Sequence, residues 1–209
     1  RLEYRVARSL LVKRRAPARR LVRWLVCLLA IGLVPIGAMA QFRNRFGQYP
    51  NVPYDGRFAF VRVRYQNYGG WRADYPVMER NLTKIMQDVT ALEPHMSGSN
   101  VYTFDDPELL RHPIAYLSEP GYWYPTDAEV AGLRLYLDKG GFLIVDDFHF
   151  ENEWNVFARA MRRVRPEGQI VRLGVAHPIF NTFFQIKSLE VPYPGRLGEL
   201  GLMGEFFGM

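Results

Sequence analysis

Gly140-Gly141-Phe142-Leu143-Ile144-Val145-Asp146-Asp147 reads as a helix stop, a strand and a polar strand exit in direct succession. Paired glycines end a helix because one of them can take the left-handed conformation that other residues resist. Residues 142–145 are apolar without alternation, the pattern of a parallel strand covered on both faces. Just upstream, Thr126 and Glu129 have capping-box spacing, and Val130, Leu133 and Leu137 recur on one helical face. A helix, a glycine stop and a buried strand in that order belong to a β-α-β arrangement.

The pattern repeats outward from this point. Residues 58–65 (Phe-Ala-Phe-Val-Arg-Val-Arg-Tyr) predict a first strand, and residues 113–118 a second. Arg62 and Arg64 read as ordinary strand charges, with pairing to acids across the sheet as the alternative. Between the strands, Met78, Leu82, Ile85, Met86, Val89 and Leu92 fall at spacings of three and four. They predict an amphipathic helix with that stripe inward, opened by Asp74 and Pro76 and ended by Pro94. Trp154, Phe157, Met161 and Val164 predict a third helix, with Arg159, Arg162, Arg163 and Arg165 toward water and its C-terminal end. Residues 170–173 and 186–191 read as further strands, and the glycine-rich tail beyond Pro192 has no assignment. Alternating strands and helices predict an α/β fold, a doubly wound and mostly parallel sheet with helices on both faces.

Residues 1–40 have a different character. They hold nine Lys or Arg and one acid, then an apolar run of about 13 residues, then Ala38-Met39-Ala40. Basic, apolar and small-x-small segments in that order form a secretory signal pattern, with cleavage expected after Ala40. An uncleaved membrane anchor is the alternative, and the run is short for one, since spanning takes about 20 apolar residues. The expected location is periplasmic or extracellular after cleavage, membrane-anchored otherwise, with membrane contact only through this leader. Residues 41–56 read as a linker or strap, and residues 57–209 as a single domain.

The leader also decides the charge argument. The whole chain has 27 basic and 21 acidic residues. Without the leader's nine and one, 18 basic residues face 20 acidic ones. The high pI therefore belongs to targeting, and a nucleic-acid partner is not expected. The single cysteine, Cys27, lies in the leader. The processed chain would have no disulfide, thiolate metal site or cysteine nucleophile.

Four stretches carry a family resemblance: residues 58–65, Leu117-Ser118-Glu119-Pro120-Gly121, residues 133–147, and His177-Pro178-Ile179-Phe180. They resemble Domain of Unknown Function 4159, a bacterial family regarded as similar to ThuA-like proteins and, more distantly, to class I glutamine amidotransferase domains. The resemblance runs from about residue 58 to about residue 207 and implies a flavodoxin-like sandwich without an established activity. Glutamine hydrolysis of the amidotransferase kind needs a Gly-x-Cys-x-Gly elbow. No such elbow stands in the chain, so that activity is excluded.

In a doubly wound sheet, ligands collect at the carboxyl ends of the strands. Asp146, Asp147 and His149 follow the strand at 142–145, and Glu119 follows the one at 113–118. Alternation along a strand sends Asp146 and Asp147 to opposite sides. Two acids and a histidine suit a general base with its orienter, or a divalent metal. The plainer alternative is a capping aspartate, an arginine partner, a turn at Glu119 and a surface histidine. Tyr65 and Trp71 in the first outgoing loop, with Tyr124 in the second, suit sugar or peptide stacking, or else close over the core. His177 either completes the rim or packs its ring on Phe180.

No cofactor is expected, with a divalent metal left open. The leading reading is a ligand-binding or envelope-assembly module without catalysis, its partner a small molecule, a glycan or an envelope protein. The alternative is a hydrolase or carbohydrate-active enzyme using the carboxylates at the strand ends.

Overall fold

A computed structural model describes residues 51–66 and 70–209. The leader and residues 41–50, with the expectations placed on them, lie outside the described residues. No helix among the described residues is long and apolar enough to cross a membrane.

Four strands form a parallel sheet in the order β2-β1-β3-β4, where β1 is Val61–Val63, β2 Asn100–Tyr102, β3 Ile114–Ser118 and β4 Phe142–Asp146. Parallel pairing holds at each junction: Arg62 stands opposite Val101 and Tyr116, and Tyr116 opposite Ile144. The three long helices are α1 (Val77–Val89), α2 (Asp127–Asp138) and α3 (Glu151–Val164). The α/β expectation holds. β2 carries no sequence signal of its own, being three residues that begin with Asn100, and it forms because β1 is there to pair with.

The two sheet faces are filled differently. Val61, Val63, Ala115 and Leu117 pack with Val130 and Leu133 of α2 and with Phe157, Met161 and Val164 of α3. Burying that many aliphatic and aromatic side chains, each worth roughly 1.5–3 kcal/mol, supplies the main stabilisation. Thr126 and Glu129 close the capping box at the start of α2. Gly140 ends the same helix at φ 86°, as the glycine pair predicts. Arg163 near the end of α3 reaches back to the Pro125 carbonyl and the Asp127 carboxylate, tying α3 to the start of α2.

Arg62 dominates the opposite face, and it overturns the reading of an ordinary strand charge. It is fully buried. Its Nε donates to Glu79 Oε1 at 2.5 Å, its NH2 group to Asp74 at 3.0 Å, and its NH1 group to the Trp71 and Ala73 carbonyls. The Tyr116 ring lies 4.8 Å from the guanidinium carbon. α1 therefore docks through Glu79 and Thr83, its buried residues, and the predicted inward stripe is displaced. Ile85, Val89 and Leu92 are exposed, and Met78, Leu82 and Met86 are half-buried. The charge beneath the helix selects which helical row faces the sheet.

β4 also departs from expectation. It is the sheet's edge, with Leu143 and Val145 against the core but Phe142 and Asp146 exposed. Its unbroken apolar run therefore does not mark burial on both faces. Of the further predicted strands, residues 170–173 contain β5 (Val171–Arg172), which pairs antiparallel with β6 (Phe207–Gly208) outside the main sheet. Residues 186–191 form no strand. The tail nevertheless docks: the Tyr193 hydroxyl donates to the Phe148 carbonyl at 2.6 Å, and the Phe207 and Trp154 rings lie 4.5 Å apart.

Candidate functional site

Parallel strands send β1, β3 and β4 out at one end, and their exits form a polar rim. Glu119 follows β3 with φ 51° and Asp147 follows β4 with φ 69°. Left-handed backbone at a residue other than glycine is costly, by about 1–2 kcal/mol, and clusters where function holds it. At Asp147 it also undoes the alternation that sends neighbouring side chains apart. Asp146 accepts from the Tyr116 hydroxyl at 3.2 Å, and Asp147 accepts from the Ser118 hydroxyl at 2.9 Å. Tyr116 and Ser118 are two apart on β3 and share a face, so both carboxylates are anchored to the same row.

The neighbouring loops hold the rim shut against the core. The buried Tyr65 hydroxyl donates toward the Ser118 and Glu119 carbonyls, at 3.0 and 2.7 Å. Gly70 packs against that hydroxyl and against Glu119 Cβ, where an added methyl group would stand 2.7 and 3.2 Å away. Gly121 performs the same service for Glu153, whose Cβ and Cγ would meet any side chain placed there.

Glu153 is the residue that the sequence reading missed. It is buried, at the third position of α3, and its Oε2 accepts the His149 backbone N–H at 2.7 Å. Phe150, the helix N-cap, makes no side-chain cap bond; Glu153 instead ties the chain just before the cap, at His149, to the first turn of α3. The signal is present in the sequence: an acid three residues after Phe150, at the N3 position that opens an apolar helical face. The His149 ring Nδ1 lies 3.7 Å from Glu153 Oε2 and 3.9 Å from Glu119 Oε2.

Burial is the largest influence on two of these acids. It raises the Glu119 carboxyl above the usual range against the pull of His149. It raises the Asp147 carboxyl in the same way against its bond from Ser118. Burial likewise pushes the Tyr65 and Tyr116 phenols up, so both stay protonated donors.

Of the residues singled out in the sequence, Glu119, Asp146, Asp147, His149 and Tyr65 come together at the rim. Tyr124 is exposed in the loop after β3, with Tyr122 two residues before it and Phe150 in the loop after β4. Trp71 is buried in the core, its ring 6.1 Å from Tyr75. His177 lies in the tail, where its ring accepts the Ile179 N–H and meets Phe180 edge-on at 6.4 Å. A separate cleft on the α1 side, lined by Pro76, Glu79, Thr83, His95 and Ser99 among others, shares no residue with the rim.

No curated protein matches the chain. The family model described as Domain of unknown function (DUF4159) matches residues 59–201. That span holds β1 to β4, the three long helices and every rim residue named above, so the chain belongs to the DUF4159 family.

Proposed function

We propose that this domain is a saccharide-binding module acting outside the cytoplasm, on a flavodoxin-like, amidotransferase-like scaffold without a nucleophile. The carrying observation is that exposed rings and placed carboxylates belong to loops leaving the same end of the parallel sheet. Tyr122, Tyr124 and Phe150 are 47%, 65% and 64% exposed and belong to the loops that leave β3 and β4. Sugars present C–H faces that stack on rings and hydroxyls that donate to carboxylates. Asp146 and Asp147 are each already held by a donor of their own chain, which suits fixed acceptors better than groups that must move protons. The strand order β2-β1-β3-β4 agrees with the flavodoxin-like arrangement, and the leader pattern in residues 1–40 supports export.

Saturation-transfer NMR with N-acetylglucosamine oligomers tests the reading. Transfer from protein rings to the sugar is expected, with loss in a Tyr124→Ala, Phe150→Ala double variant. Absence of transfer from any oligomer, or transfer unchanged in that variant, overturns it. Export is tested by intact mass after bacterial expression, with a chain beginning at Gln41 expected and an unprocessed leader as the contrary result.

One observation favours the enzymatic alternative. A general acid needs a carboxyl held protonated near neutral pH, and burial moves Glu119 and Asp147 in that direction. Release of reducing ends from the same oligomers, abolished in Glu119→Gln, would replace the binding reading with hydrolysis.

A further inference from the structure

Glu119, His149 and Glu153 each offer one ligand atom, and the three atoms lie within 4.8 Å of one another. They come from three separate elements. Glu119 is set by the left-handed turn after β3, His149 by the loop after β4, and Glu153 by the first turn of α3. The two histidine-to-carboxylate distances, 3.9 and 3.7 Å, are too long for hydrogen bonds. The groups face each other across a gap. Around a tetrahedral zinc ion with bonds of about 2.1 Å, neighbouring ligand atoms stand roughly 3.4 Å apart. Both histidine edges are within about half an ångström of that geometry, and the carboxylate–carboxylate edge is no more than 4.8 Å, so rotation of the partly exposed His149 and Glu119 side chains would bring the three together.

We propose that these three side chains bind a divalent transition-metal ion, zinc or one of similar preference, leaving a fourth position open to solvent. An imidazole beside two carboxylates favours such an ion over calcium or magnesium, which prefer all-oxygen shells. Glu153 is prepared for the task. The bond from the His149 backbone fixes its Oε2 and leaves lone pairs free, an outer contact of the kind that orients metal ligands. Gly121 makes room for it, since any larger residue would push α3 away from the turn at Pro120–Tyr122. The inference goes beyond the saccharide reading, because none of the three ligands is one of the exposed rings.

The test is calorimetric titration of the untagged, chelator-stripped full chain with zinc. One saturable site per chain is expected, weakened at least tenfold in His149→Asn and in Glu119→Gln. Both variants keep the buried Glu153 and are checked for an unchanged thermal midpoint. Absence of a saturable site, or affinity within threefold of the parent in either variant, overturns the proposal. Oligosaccharide binding by the chelated chain is measured alongside, so failure of one reading is distinguishable from failure of the other.

Discussion

Replacing Glu79 with Gln removes the buried partner of a charge that has nowhere to go. Arg62 is 0% exposed and Glu79 2%, and Arg62 cannot shed its proton to escape. With charge centres about 4 Å apart and an effective dielectric near 20, the lost attraction is roughly 4 kcal/mol. Two effects reduce it. Burial already works against the Glu79 carboxylate, so the variant recovers part of a desolvation penalty. Asp74 also remains beside Arg62 at 3.0 Å, but it is half exposed and supplies at most about 1 kcal/mol. The expected net loss is about 3 kcal/mol, the lower end for breaking a buried pair. In urea, with a slope near 2 kcal/mol/M, the unfolding midpoint falls by roughly 1.5 M. Replacing both partners, Arg62→Met with Glu79→Leu, should recover most of that loss, since no buried charge is left unpaired and the half-exposed Asp74 can be hydrated. A Glu79→Gln midpoint within about 0.3 M of the parent would refute the account of how α1 is held.

Other substitutions probe the rim and its supports. Gly121→Ala should destabilise by about 1–3 kcal/mol, because the methyl group meets Glu153; thermal unfolding reads it, and zinc titration should weaken with it. Asp147→Asn should raise stability at pH 7 by up to about 1 kcal/mol after allowance for solvent screening. The sign follows from burial: the folded carboxyl is raised, so its contribution is full below the unfolded carboxylate range and fades as pH rises through the folded value. The gain should therefore shrink as the medium is acidified, and a gain that grows in acid would contradict the assignment. Thr126→Ala should cost about 1 kcal/mol through the lost α2 cap, read by chemical denaturation.

Much of this architecture is local and therefore legible. The capping box at Thr126, the glycine stop at Gly140 and the apolar faces of α2 and α3 depend on neighbours three or four residues away, which periodicity exposes. Parallel strands leaving at one end then place Glu119 and Asp147 on a common rim. What the sequence could not decide is set by contacts between distant residues. Arg62 takes its partners from 12 and 17 positions along the chain, and that pairing turns α1 away from its own apolar stripe. β4 has the composition of a covered strand yet lies at an edge, because strand order is a property of the whole sheet. Asp147 reaches Ser118 through a backbone conformation that residue type alone does not specify. Glu153 joins the rim only because Gly121, on another element, leaves room for it: pattern reports which surfaces are apolar, and packing decides which of them meet.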